Sequence, residues 1–406
     1  MTTRCRVCGG SDARVLLDFG PQPNSLRLLP AQDTPHRLHP LVLHHCPACG
    51  FIFIADPLPA EEFYGEVQLS TSVFPARHLE PLCAELVQRL SVTSQPRILE
   101  IGCNDGYFLD RLRQAGFTRL RGVEPSAGCA DQARVRGLEV DTDYFSARKA
   151  QELLAKDGNP DLVICRHVLE HVLDLSDFLE GLSLLLEGGG LLLLEVPDLG
   201  AIEARGDFSA IWEQHVNYFD LPVLRHLSAR FNLRVEEVRR LDYGGGTLFS
   251  CIRRGAESVA IFSSDREQLR RRVLANIREC RETVSALREG GQRIAAFGAG
   301  MRGAMLINLA GLGPALAFVV DDNPTKVGRW LTGSRLPILP SSALDSERPD
   351  ACIVLPMNAK AMEHAIEERH ARQRAAGMGF YEVLPEHGGF LRPFGQPVSC
   401  GRSLES

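Results

Sequence analysis

Four of the chain's twelve cysteines stand in two pairs, Cys5-Arg-Val-Cys8 and Cys46-Pro-Ala-Cys49, each followed by glycine. A tight turn of this kind sets two thiolates on one side. Two such turns complete a tetrahedral sulfur site, the usual geometry of structural zinc. Cysteine then fills every position, so no ligand site stays open for chemistry. The 37 residues between the pairs exceed common finger spacing, so a small ribbon-like module with an inserted loop is expected. His44 and His45 directly precede the second pair and are read as bystanders. The other eight cysteines are scattered singly and read as small buried hydrophobes.

A second chemical feature is Glu100-Ile-Gly102-Cys-Asn104-Asp105-Gly106, which follows an apolar run. Glycines at the carboxyl end of the first strand of a doubly wound sheet let the backbone approach a nucleotide-like ligand. Acidic groups there suit a ligand that carries positive charge, such as a sulfonium amino acid, better than a pyrophosphate. Glu124, in Gly-Val-Glu-Pro-Ser, ends the next apolar run and can accept both hydroxyls of a ribose. The pattern is that of S-adenosylmethionine binding, and its glycine spacing is not that of a dinucleotide fingerprint. The dinucleotide spacing does occur later, in Gly298-Ala-Gly300-Met-Arg-Gly303, with Asp321 about 20 residues on. That motif leaves an NAD-dependent reductase open as a rival. His171 and His215 are the candidate general bases, because imidazole titrates near neutrality. The alternative is that each is a satisfied interface histidine. His167 is read as structural.

These groups need elements to hold them. Strands are expected at 97–101, 120–124, 161–165 and 190–196, with helices at 107–114, 126–135 and 175–186 between them. A helix at 221–230 and a hairpin of strands at 233–241 and 247–253 follow. Alternation closed by a hairpin predicts a parallel sheet with an antiparallel edge. A polar helix at 265–289 opens a second alternating set, with strands at 293–297, 315–320 and 351–355 and helices at 302–312 and 359–370. The fold class is therefore α/β, in three parts: a zinc module at 1–62, a class I methyltransferase sheet at 63–256 and a second Rossmann-like domain at 257–406.

Composition narrows the function. A chain of 406 residues with 44% hydrophobic residues and a net charge of −6 is neither disordered nor a general nucleic-acid binder. The run from Leu182 to Val196 is too short and too interrupted to span a bilayer. With no apolar leader at the N-terminus, a cytoplasmic location is expected.

Taken together, these motifs resemble the sugar C-methyltransferase family, which methylates nucleotide-linked 4-keto-deoxysugars. The resemblance covers nearly the whole chain and rests on the cysteine pairs, the Glu100–Gly106 loop, Gly122-Val-Glu-Pro125 and His167-Val-Leu-Glu-His-Val172. It also rests on Trp212-Glu-Gln-His-Val-Asn-Tyr-Phe219, Gly245-Gly-Thr-Leu248, Ala296-Phe-Gly-Ala-Gly300 and Val320-Asp-Asp-Asn-Pro324. It implies S-adenosylmethionine and structural zinc as cofactors and a nucleotide-sugar substrate. Substrate contacts are implied from Trp212, Gln214 and Tyr218, and in the C-terminal domain from Gly298, Gly300 and Asp321. The family's usual Tyr-x-Glu-His reads here Trp212-Glu-Gln-His215, so the carboxylate is missing unless Glu213 substitutes one position earlier. Tyrosines usual before the stretch 66–72 are reduced to Tyr64. Rival readings are an O- or N-methyltransferase on another metabolite, the reductase, and a non-catalytic zinc-ribbon interaction protein.

Overall fold

The structure is a computed structural model and describes residues 3–59, 78–90, 92–259, 266–355, 371, 373, 377–383 and 390–393. The expected helix at 359–370, Tyr64 and the stretch 66–72 lie outside the described residues. By contact the chain divides into two compact units, one of residues 1–18, 42–201 and 214–266, the other of residues 19–41, 202–213 and 267–406. The paired cysteines and the first parallel sheet share the first unit.

Four strands come early: β1 (Arg14–Pro23), β2 (Leu28–Leu29), β3 (Leu38–His45) and β4 (Ile52–Ile54). Then follow β5 (Ile98–Ile101), β6 (Leu120–Val123), β7 (Glu139–Asp141), β8 (Leu162–Arg166), β9 (Leu191–Pro197), β10 (Asn217–Tyr218), β11 (Leu233–Leu241) and β12 (Thr247–Arg254). Seven of these form one sheet in the order β11-β12-β9-β8-β5-β6-β7. β5 to β9 run parallel, while β12 and β11 return antiparallel as the expected hairpin. The strands read as continuous apolar runs because both faces are covered. Leu99, Ile101, Val163, Cys165, Leu192 and Leu194 enter one core layer, and Ile98, Leu162, Ile164 and Leu193 enter the other. The covering helix Leu175–Leu185 starts at Asp174, whose side chain accepts from the N–H groups of Ser176 and Asp177.

Strand order reverses between β5 and β8. The crevice beyond their carboxyl ends is the place where such sheets bind ligands. There the Glu100–Gly106 loop leaves β5 and His167 leaves β8. A separate four-stranded sheet has the order β1-β3-β4-β10, so the segment after His215 pairs with β4, just past the second cysteine pair.

In the second unit the helix Glu267–Glu289 buries Leu269, Val273, Ile277, Cys280 and Val284 along one stripe. Its sheet contains β13 (Ile294–Phe297), β14 (Leu316–Val320), β16 (Ile338–Leu339), β17 (Ala351–Val354), β18 (Gly379–Val383) and β19 (Leu391–Pro393). A short β15 (Trp330–Leu331) pairs instead with β2. The order β16-β14-β13-β17-β18-β19, parallel except at β19, is the expected second Rossmann-like set. The helix Met301–Leu309 follows β13, and its Arg302 is buried against Asp207 and Ser209.

Candidate active site

The sulfurs of Cys5, Cys8, Cys46 and Cys49 all lie within 4.8 Å of one another, with Cys5–Cys49 and Cys8–Cys46 at 3.6 Å. Around a zinc ion with Zn–S bonds of about 2.3 Å, tetrahedral sulfurs stand about 3.8 Å apart, so the four fit that ion. The two turns are built alike. Gly9 N–H donates to Cys5 O at 3.0 Å and Gly50 N–H to Cys46 O at 2.8 Å. Gly9 and Gly50 have φ of +76° and +75°, a conformation that favours glycine. The Cys49 thiol hydrogen-bonds Cys5 and pulls its pKa down to about 5, while Cys49 itself is pushed up. Arg6, inside the first turn, donates to Ile54 O, to Val216 O at 3.3 Å and to Asn217 Oδ1 at 3.2 Å. The zinc end thus grips the backbone one residue past His215.

On the β5 side, the N–H groups of Gly102 and Cys103 both donate to Val123 O, at 2.8 and 3.2 Å, which lays the loop along β6. Gly102 has φ +69°, and a Cβ there would come within 2.4 Å of Val168. Asn104 also takes a positive φ, +52°, and Gly106 opens the helix Tyr107–Gln114 at φ +73°. Glu124 accepts from Asn104 N–H at 2.9 Å and from Ser126 N–H at 2.8 Å, one bond on each oxygen. A carboxylate offers about four lone-pair sites, so each oxygen keeps one for a ribose diol. Burial raises the Glu124 pKa. Asp105 is fully buried. It accepts from Tyr107 N–H at 3.3 Å and faces Arg136 at 3.6 Å, the posture of a helix-capping group. Glu100 is 1% exposed and accepts from Arg166 at 2.8 Å. Burial raises Glu100 and Arg166 opposes that rise. Arg166 went unnoticed in the sequence, although a charged residue closing the apolar run Leu162-Val-Ile-Cys was the signal for it.

Beyond β8, a turn at Leu169–His171 is stitched to the segment before β10. Val216 N–H donates to Glu170 O at 2.9 Å, and Asn217 Nδ2 donates to Leu169 O at 3.2 Å and Val172 O at 2.6 Å. His171 Nδ1 lies 2.9 Å from Gln214 O. A carbonyl only accepts, so that nitrogen carries the proton and Nε2 carries the lone pair. Burial lowers the His171 pKa, which favours the neutral ring. The His171 and His215 rings are 5.1 Å apart, and His215 packs edge-on to Tyr218 at 6.4 Å. His215 Nε2 stands 4.0 Å from Glu170 Oε1. Behind these lie groups the sequence did not single out: Glu170, Glu195, His78 and Tyr243. They are drawn from four separate stretches, and although Glu170 stands inside the His167–Val172 motif, no local pattern announces that the four meet.

Family models match three consecutive parts of the chain: a zinc binding domain over residues 5–64, a methyltransferase domain over 76–238 and a C-methyltransferase C-terminal domain over 255–385. The C-methyltransferase NovU of Streptomyces niveus is 29% identical over 379 residues, which covers 87% of this chain and 89% of NovU. These matches make the chain a methyltransferase that carries a C-methyltransferase C-terminal domain. The ubiquinone biosynthesis O-methyltransferase of Caulobacter sp. (strain K31) is 34% identical over 103 residues, 24% of this chain and 39% of that protein. Among solved structures, magnesium protoporphyrin IX methyltransferase (ChlM) from Synechocystis PCC 6803 with bound SAM is 16% identical, with a TM-score of 0.33, over 47% of this chain and 86% of that one. This methyltransferase uses S-adenosylmethionine and carries a structural zinc site.

In the methyltransferase's second unit, the carboxylate that faces the glycine-rich turn is already bonded by the chain itself. Asp321 accepts from Ala299 N–H and Asn323 N–H, each at 2.8 Å, and from Lys326 Nζ at 3.1 Å. Three of about four lone-pair sites are used and Oδ2 is saturated, so the carboxylate cannot take both hydroxyls of a ribose as Glu124 can. A Cβ at Gly303 would lie 2.6 Å from Gly298 O, so that glycine serves the packing of loop on helix. Trp212 and Glu213 are each 4% exposed. Glu213 Oε1 accepts from the N–H and hydroxyl of Ser25 at 2.7 and 2.9 Å, and burial lifts its pKa to about 7. In the first unit, Gln214 and Tyr218 are buried at 4% and 3% exposure.

Proposed function

We propose that this methyltransferase alkylates the carbon beside the ketone of a nucleotide-linked 4-keto-deoxysugar, with His215 as the principal base and His171 beside it. The observation that carries the reading is the pair of imidazoles backed by a buried carboxylate at the carboxyl end of β8, next to the Gly102–Gly106 loop. An oxygen or nitrogen acceptor already has a lone pair and needs less basic help. A carbon acceptor has none until a proton is removed.

Glu124 would hold the donor's ribose, and the loop at Gly102, Asn104 and Gly106 would admit its backbone-facing edge. When bound, the donor supplies a methyl group on a positively charged sulfur. His215 takes the proton from the carbon beside the ketone, and the C–H electron pair moves onto the carbonyl oxygen as an enolate. The enolate carbon would then bond to the donor's methyl as the methyl–sulfur bond breaks, its electron pair staying on sulfur in a neutral thioether leaving group. The proton stays on the imidazole until product leaves and is then lost to water. His171, neutral by burial, lines the same space without adding positive charge to repel the donor.

The sugar class follows from the resemblance carried by the motifs, with Trp212, Gln214 and Tyr218 as substrate-side groups. Among the described residues no helix is long and apolar enough to cross a membrane, and no disulfide joins the described cysteines, which suits a reducing compartment. The test is methyl transfer from labelled donor across a panel of 4-keto nucleotide sugars, with the methyl position read by NMR. Solvent deuterium should wash into the carbon that becomes methylated. Methyl found on oxygen, with no wash-in, overturns the reading.

A further inference from the structure

The base needs a partner that holds its ring and compensates its charge. Gln214, next to it in sequence, offers only an amide. The groups around Glu170 answer this need. Glu170 is 1% exposed, and its Oε1 lies 3.2 Å from His167 Nδ1 and 4.0 Å from His215 Nε2. His167 Nε2 stands 3.7 Å from Glu195 Oε2, and His78 Nε2 lies 3.2 Å from both Glu195 oxygens. Burial alone would raise Glu195, but the His78 hydrogen bond together with Arg166 and His167 holds it below its ordinary value. Tyr243 closes the row, with its ring 4.9 Å from that of His78 and 5.4 Å from that of His167.

Arg166 is the permanent cation in this buried row, and it is bonded to Glu100. Arg166 also helps compensate Glu195, whereas Glu170 has its contacts with His167 and His215. His167 adopts φ +52°, an unfavourable backbone for a non-glycine residue, and in that posture it stands between the two carboxylates.

We propose that Glu170 is the positioning residue of the base: from 4.0 Å away, a gap longer than a formed hydrogen bond that must tighten when substrate binds, it orients His215 through Nε2–H, stabilises the imidazolium as it forms, and is itself fixed by the row His167–Glu195–His78. In that arrangement His215 Nδ1 takes the substrate proton. The inference rests on His215 being the base, and it names the carboxylate that the adjoining sequence lacks. The groups shown to interact with Glu170 are His167 on its own turn, His171 beside it, His215 ahead of β10, the Cys165 thiol in β8 and Tyr243 between β11 and β12. All but Glu170 are cationic or neutral, so this carboxylate is the anion that faces His215.

The first test needs neither substrate nor variant. Imidazole 15N NMR of the zinc-loaded wild-type protein should show neutral His215 protonated at Nε2. Finding it protonated at Nδ1 overturns the proposal whatever the substrate proves to be. The second test is the pH profile of deuterium wash-in for Glu170→Gln and Glu170→Asp. An opposite charge at this range raises a base's pKa by about 1–3 units. Glu170→Gln should therefore move the midpoint to lower pH by that amount and cut the plateau rate about 10- to 100-fold, at unchanged donor affinity, while Glu170→Asp recovers most of the rate. An unmoved midpoint, or donor binding lost in step with rate in both variants, overturns it. Glu170, His171 and His215 lie within 4.8 Å of one another and could instead close on a divalent ion. Elemental analysis that finds a second metal equivalent, lost in Glu170→Gln and kept in Cys8→Ser, overturns it too.

Discussion

Replacing Glu213 by Gln separates a structural carboxyl from a catalytic one. Burial lifts this carboxyl from its ordinary 4.5 to about 7. In the unfolded chain it ionises near 4.5, whereas the folded protein holds the proton until about pH 7. Its contribution to stability is therefore fully present below the lower value, declines as pH rises through the window and is gone above about 7. A shift of about 2.5 units at 1.36 kcal/mol each gives about 3 kcal/mol across that window. The amide oxygen of Gln can still accept both Ser25 bonds and never ionises. Glu213→Gln should then be more stable than wild type by up to about 3 kcal/mol at pH 8 and indistinguishable at pH 4. Both tryptophans, Trp212 and Trp330, fall in the second unit, so fluorescence-detected guanidinium unfolding reads the right part of the chain. A difference that does not change between pH 4 and 8 refutes the reasoning. If instead wash-in is abolished at an unchanged unfolding midpoint, Glu213 is the base and the assignment of His215 fails.

Cys8→Ser should lower zinc from one equivalent per chain toward none by elemental analysis, and should raise amide exchange at Val216 and Asn217, which the Arg6 turn supports. Glu124→Ala should weaken S-adenosylhomocysteine binding about 10-fold or more by calorimetry, in line with the 1.5–3 kcal/mol of hydrogen bonds to a charged group. Gly300→Arg places its side chain where nothing lies within 4 Å of the Cβ, and it should leave that affinity unchanged; abolished binding would reverse the roles of the two Rossmann-like sets.

What was legible in the sequence followed from periodicity and from local spacing. Runs such as Leu162-Val-Ile-Cys165, buried on both faces, announce a parallel sheet, and a cysteine pair announces its own turn. Strands of two or three residues carry no period, so β10 and its pairing with β4 were invisible, although that pairing ties the zinc end to the segment of His215. The helix Ala147–Asp157 was missed for a related reason, since only Ala150 and Leu153 are buried along it. Charge compensation is harder still to read. His78 and Glu195 are 117 residues apart, and only the folded sheet makes them neighbours. His167 and Glu170 were both visible in one short motif, yet a histidine beside a carboxylate in sequence has many uses. Its use here is decided by a second carboxylate arriving from β9 and a second imidazole arriving ahead of β10. The asymmetry between Glu124 and Asp321 has the same origin. Each ends the second strand of its set after a glycine-rich turn, and the sequence gives them equal claims on a ribose. Lys326 and the N–H groups of Ala299 and Asn323 fill one of them, whereas two N–H groups leave room on the other, and it is on that difference in hydrogen-bond occupancy that the proposed function assigns the donor to the first set.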